Sequence, residues 1–257
     1  MRNTLRLTLR EGRPAFGSWI QFADPATAEV MACAGFDWLG IDLEHSAIDL
    51  GAAATLIQIV DLAGCAPLVR LSANDPVQAA RVMDLGACGV IVPAVQSAAE
   101  ARRAVDAVKY RPQGTRGVGL GRAHGYGARF AEYLAENAEG SIVIPMIEQR
   151  EGVERIEEIL HVAGVDGVFI GPYDLSASYG VAGELHHPLV GQAMRQVVDA
   201  ARATGKAAGI HVVHPPVTQV AERLAEGFRL IAYRGDMLFL TPAALEAVEQ
   251  LRSLEVS

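Results

Sequence analysis

The feature that most constrains the fold is a unit that recurs along the chain. An amphipathic helical stretch is followed by a glycine, two or three residues, and a short apolar strand. Clear instances are Ala34-Gly35-Phe36-Asp37 before WLGID, Leu85-Gly86-Ala87-Cys88 before GVIVP, Ala163-Gly164-Val165-Asp166 before GVFIGP, and Glu226-Gly227-Phe228-Arg229 before LIAY. A glycine just past a helix takes the left-handed cap without a Cβ clash, and the chain then turns into the next strand. Helix starts are legible as well: Asp24-Pro25 and Asp75-Pro76 each place an acceptor before a proline at the first helical position. Reading every such strand predicts eight, near Phe16–Trp19, Leu39–Asp42, Leu68–Leu71, Gly89–Pro93, Ile142–Ile147, Val168–Ile170, Ala208–Val212 and Leu230–Tyr233. They are short, continuous and apolar, with helical patterns between them, which is the signature of a buried parallel sheet. Eight such units in 257 residues point to one α/β domain over 1–257, a TIM (β/α)8 barrel. A doubly wound open sheet is the alternative. The stretch from Lys109 to Gly140 fits neither unit and reads as a long excursion between the fourth and fifth strands.

Composition narrows the class. Apolar residues make up 51% and charged residues 20%, which excludes intrinsic disorder. The formal charge of −8 and the lack of a Lys/Arg block argue against nucleic acid as a partner. No window approaches the ~18 apolar residues of a membrane span. The beginning MRNTLRLTLREGRP has no apolar core of a secretory signal. Three cysteines without CxxC spacing fit a reducing compartment. A cytoplasmic protein is expected.

In a barrel the chemistry sits at the carboxyl ends of the strands. Strand two ends in Asp42, followed by Glu44 and His45; strand three ends in Arg70; strand five runs into Glu148; strand six runs through GP into Asp174; strand seven carries His211; and Asp236 follows strand eight. Glu148 and Asp174 carry the most weight. Both follow strongly apolar strands, and two carboxylates held close repel unless a proton or cation intervenes. Oxygen-only ligation suits a hard divalent ion, with waters or substrate completing the octahedron. The alternative is that each acid caps the helix that follows it. Arg70 is placed to grip a carboxylate bidentately, or else to pair with an acid such as Glu44. His45 could be a general base oriented by a carboxylate, or a structural histidine.

The chain has only two lysines, Lys109 and Lys206, and neither is placed to form a Schiff base with a carbonyl substrate. Carbanion chemistry here would therefore use a metal as the electron sink. The glycine run Gly117–Gly125 lacks the GK[ST] of a phosphate loop and reads as a mobile lid or rim loop. The HHP at 186–188 reads as a surface turn.

With these residues in view, the chain resembles the HpcH/HpaI aldolases, class II pyruvate aldolases that include the 4-hydroxy-2-oxoheptanedioate and 2-dehydro-3-deoxyglucarate aldolases. The matching stretches are AGFDWLGIDLEH (34–45), VRLSANDPVQ (69–78), RGVG (116–119), the E-x-R-E-G run from Glu148 to Gly152, and GVDGVFIGPYDLSASYG (164–180). The resemblance implies a barrel of the phosphoenolpyruvate/pyruvate type, assembled as a hexamer, a dimer of trimers. It implies Mg²⁺, Mn²⁺ or Co²⁺ between Glu148 and Asp174, His45 as acid/base, and Arg70 holding the pyruvate and its enolate. The backbone at Tyr173 and Asp174 would contact the substrate carboxylate. Asp84 matches an acid that tunes the histidine of a neighbouring subunit. Met146 stands where relatives often carry a substrate-contacting Gln, Leu43 where Gly is common, and Tyr173 where Ala is common. The implied reaction releases pyruvate, or a close analogue such as hydroxypyruvate, and an aldehyde from a 4-hydroxy-2-oxo acid. The rival readings are a citrate-lyase-like acyl-CoA lyase and a non-catalytic barrel that binds 2-oxo acids.

Overall fold

The computed structural model describes residues 4–213 and 216–254. Eight parallel strands close in sequence order into a barrel: β1 (Ala15–Ile20), β2 (Trp38–Asp42), β3 (Ala66–Arg70), β4 (Gly89–Val92), β5 (Ile142–Ile147), β6 (Gly167–Ile170), β7 (Ala207–Val212) and β8 (Leu230–Gly235). Every predicted strand is present, within two residues at either end, and the open-sheet alternative is excluded by the β1–β8 pairing. The helices that return the chain include α2 (Pro25–Cys33), α3 (Leu50–Leu62), α4 (Pro76–Asp84), α5 (Ala98–Val108), α9 (Pro172–Ser178), α10 (Pro188–Ala203) and α11 (Thr218–Glu226).

Local chemistry sets these boundaries. The Asp24 side chain accepts from the N–H of Thr27 at 2.7 Å, and Asp75 from the N–H of Val77 at 2.9 Å, so both expected caps are made. Gly164 has φ +98, and a Cβ there would also meet the Val105 side chain at 2.6 Å. Glycine is required twice over at that helix exit.

The alternation of a strand divides the interior in two. Outward residues such as Ile41, Val69 and Ile170 pack under the helices, while Trp19, Trp38, Leu68, Ile144, Met146 and Phe169 fill the lumen. Sequence reasoning had no reading for α1 (Thr4–Arg10). Its Leu5 and Leu9 are buried with the lumen residues and stop the amino end of the barrel.

The excursion over 109–140 corrects one expectation. It contains a 3-10 turn at Arg122–His124 and α6 (Phe130–Gly140). Its glycine run is no lid over the mouth. A Cβ at Gly121 would strike the Asp84 carbonyl, Arg122 bonds Asp61 and the Leu85 carbonyl, and His124 is buried against Tyr110. These contacts lie where helices hand over to strands, at the amino end. The reason is topological: the segment follows a helix and precedes a strand, and all such connections emerge at that end. The expected surface turn at 186–188 is present, closed by the His187 N–H on the Glu184 carbonyl at 2.9 Å, and it leads into α10, with His187 accepting from the N–H of Leu189 at 3.3 Å.

Candidate active site

β2 and β3 pair in register, which sets Asp42 beside Arg70 at the carboxyl end. Asp42 is fully buried and takes Arg70 Nε at 2.9 Å and Nη2 at 2.6 Å. It also accepts from Gln21 Nε2 at 3.1 Å and from the backbone N–H groups of Glu44 and His45. Burial alone would raise the Asp42 carboxyl; the Arg70 guanidinium and the two N–H donors outweigh it and hold it below the usual range. The bidentate edge of Arg70 is thus occupied by a protein carboxylate. Its Nη1 faces Glu44 at 3.4 Å, and its guanidinium carbon lies 4.7 Å from the centre of the Trp19 ring.

His45 stands at the rim with its side chain 63% exposed, and its Nε2 lies 3.8 Å from Glu44 Oε2. The carboxylate beside the imidazole is therefore Glu44. Asp42 holds only the histidine's backbone.

Glu148, at the end of β5, is buried and accepts from the N–H of Ala94 at 2.6 Å. Ala94 is a non-glycine residue at φ +52, a strained geometry that aims this N–H at the carboxylate. A Cβ at Gly171 would meet Glu148 Oε2 at 2.9 Å, so the glycine after β6 makes room for the acid. Glu148 is not a helix cap: Gln149 occupies that position before α7 (Arg150–Glu154). Asp174 lies in the first turn of α9, which begins at the neighbouring strand end, and its charge acts on both Glu44 and Glu148.

Four carboxylates, Asp42, Glu44, Glu148 and Asp174, thus converge, and Arg70 is paired with the first two. Burial first, then the neighbouring acids, pushes the carboxyls of Glu148 and Glu44 upward. Glu44 Oε2 is buried without a hydrogen bond. Among the described residues no three His, Cys, Asp or Glu side chains are arranged to hold an ion by themselves. The donor set fits a cation that takes two carboxylates from the protein and completes its shell from substrate and water.

Of these groups Arg70 and Asp174 open onto a cavity of about 610 Å³, lined also by His45, Met146, Tyr173, Trp19, Phe169, His186 and His211. Asp84 is not among them. It ends α4 at the amino end, where Arg116 binds it at 2.5 Å, so within one chain it is remote from His45. Both lysines are bound to backbone carbonyls away from the mouth, Lys109 to Ser141 at 2.6 Å and Lys206 to Leu160. Sequence reasoning gave no role to Trp19 or Phe169, while the pairing of Arg70 with Glu44 that it allowed is present. Strand parity could have found Trp19 and Phe169, since they share the inward face with Gly17 and Gly171.

Residues 15–240 match the family described as HpcH/HpaI aldolase/citrate lyase. The chain is 42% identical over 247 residues to the 4-hydroxy-2-oxo-heptane-1,7-dioate aldolase of Escherichia coli, covering 95% of this chain and 93% of that one. It is 43% identical over 221 residues to the enzyme of the same name from Salmonella paratyphi C, covering 85% and 84%. A crystal structure of an HpcH/HpaI aldolase/citrate lyase family protein from Burkholderia cenocepacia superposes with a TM-score of 0.91 at 33% identity, over 97% of this chain and 99% of that one. The chain belongs to the HpcH/HpaI aldolase/citrate lyase family.

Proposed function

We propose that this chain is a metal-dependent carbon–carbon lyase that reversibly cleaves a 4-hydroxy-2-oxo acid into pyruvate, or a close 2-oxo acid, and an aldehyde. The observation that carries the reading is that His45, Arg70 and Asp174 line one cavity while the buried Glu148 lies within reach of the charges of Asp174 and Arg70. Relatives named as aldolases at 42–43% identity support it.

Glu148 and Asp174 would hold the divalent ion, Mg²⁺, Mn²⁺ or Co²⁺, which when bound supplies Lewis-acid stabilisation of charge on the 2-oxo group. The N–H groups of Tyr173 and Asp174, in the first turn of α9, lie where the substrate carboxylate would meet them. His45 takes the proton of the 4-hydroxyl. The C3–C4 bond breaks, its electron pair forms the enolate of pyruvate, and the 4-carbon leaves as an aldehyde. Arg70, held by Asp42, faces the enolate oxygen with a full positive charge. Protonation at C3 completes pyruvate. The acyl-CoA alternative lacks support: among the described cavity residues the arginines are Arg70 and Arg223, and Arg223 pairs with Glu226 at 2.8 Å.

The reading takes 1–257 as one catalytic domain in the cytoplasm. It also includes a homo-oligomer, a hexamer built as a dimer of trimers. Asp84 could act on a His45 only across a subunit boundary, since its own His45 lies at the other end of the barrel and the histidine its charge reaches within the chain is His124.

The test is exchange of pyruvate methyl protons in D₂O, with a screen of 4-hydroxy-2-oxo acids for pyruvate release. Exchange should require a divalent ion, stop with EDTA, and fall at least about a hundredfold in Glu148→Ala and Asp174→Ala. Full exchange by Glu148→Ala in EDTA would remove the metal assignment.

A further inference from the structure

The cavity at the mouth does not end in the lumen. Trp19 and Phe169 line its inner part, but so do Ile210 and Val212, which lie on the outward face of β7 among the residues packed under the helices. Beyond them stand Met194 of α10 and Gln219, Glu222 and Arg223 of α11. The cavity therefore leaves the barrel past the end of β7 and runs into the gap between α10 and α11. At about 610 Å³ it falls in the range that holds ligands much larger than pyruvate. With a 2-oxo acid held at Arg70 and Asp174, the rest of a longer substrate has this arm to extend into.

The charges along this path are uneven. Among the described residues that line it the arginines are Arg70 and Arg223, and each already has its acid. Arg70 is bound by Asp42 at 2.6 Å and faces Glu44 at 3.4 Å, and Arg223 is paired with Glu226 at 2.8 Å. Glu222 lines the same arm, exposed, with no cation paired to it among the described residues. A second carboxylate at the far end of a substrate would have to draw an arginine away from a protein acid, and it would stand beside Glu222. An uncharged end meets neither penalty, and Gln219 and His186 in the same lining offer it hydrogen bonds.

We propose that the aldehyde half of the substrate is uncharged at its far end, and that Glu222 is the specificity-determining residue that turns away an aldehyde ending in a carboxylate. The preference presupposes the aldolase reading. It is Coulombic and acts through an exposed group, so salt weakens it.

The experiment compares cleavage of two adducts of equal length, those of pyruvate with succinic semialdehyde and with its amide, which differ only in carboxylate against carboxamide at the far end. Wild type, Glu222→Gln and Glu222→Lys are assayed with metal present at about pH 8, above the ordinary imidazole range, so that the permanent charges are read. Wild type should cleave the amide adduct with the higher kcat/KM. The ratio of amide to carboxylate adduct should fall about fivefold in Glu222→Gln, the upper range for one exposed charge, and further in Glu222→Lys. Raising the salt to about 0.5 M should narrow the wild-type ratio, because the screening length drops to roughly 4 Å. Each ratio is taken within one protein, so a variant that folds only in part still reports it. A wild type that prefers the carboxylate adduct overturns the proposal. So does a ratio that is the same in all three proteins, or one that salt leaves unchanged. Pyruvate methyl exchange in D₂O is followed on the wild type alongside. Exchange without a preference between the adducts is a failure of this proposal alone, whereas absence of both exchange and cleavage removes the aldolase reading, and this preference with it.

Discussion

Arg70 owes its orientation to Asp42, and the pair is a case in which removing one partner does more harm than the pair does good. Asp42 is fully buried and Arg70 11% exposed in its side chain. Asp42→Ala would leave a guanidinium with its best partner gone, and the expected loss is roughly 3–5 kcal/mol in urea denaturation. Activity should fall further than stability explains, because the freed Arg70 no longer faces the cavity in one pose. The thiols make a second residue-level case. Burial pushes Cys65 and Cys88 up to about 12, and only the thiolate is nucleophilic. Since protonation persists until the pH nears that value, both should resist iodoacetamide at pH 8, while the exposed Cys33 is open to the reagent. Mass spectrometry of the native protein should show one adduct, and of the denatured protein three. Much of the site was legible in the sequence, because an acid or arginine at the end of an apolar strand has nowhere to point but the mouth. Glu44 is legible only as a partner for Arg70; its approach to the His45 ring and its burial are supplied by the fold.

At the scale of elements, glycine exits carried most of the legible fold. Gly164→Ala should test this directly. An L residue in the left-handed region costs about 1–2 kcal/mol, and the contact with Val105 adds to it. The urea midpoint should drop with an unchanged slope, since no surface is newly exposed. Two elements were read wrongly or missed, for identifiable reasons. The glycine run at 117–125 reads by composition as a mobile lid or rim loop, but its place between a helix and a strand assigns it to the amino end. α1 was invisible because seven residues with charged neighbours have little helical signal of their own. Its helix is made by tertiary burial of Leu5 and Leu9 beneath the lumen.

At the scale of the molecule, the long helix α12 (Asp236–Ser253) is out of keeping with a lone barrel. Its start packs near Phe36 through Phe239, but Leu245, Val248 and Leu251 beyond it are exposed, as is Leu254 just past its end. Such a row in water is most simply covered by another copy. Light scattering should give a mass several times the 27.3 kDa of one chain, six times it for a dimer of trimers, and Leu245→Glu with Leu251→Glu should reduce it to smaller species. A wild-type protein that runs as a monomer would contradict the assembly and, with it, any role for Asp84 at a neighbour's histidine.

The chain holds two tryptophans, and both stand in the lumen with ring centroids 6.1 Å apart, Trp19 under the guanidinium of Arg70. Intrinsic emission from this protein is therefore a reporter already installed beneath the mouth. Quenching or a spectral shift on titration with pyruvate, with and without a divalent ion, would give occupancy of the site with no label attached.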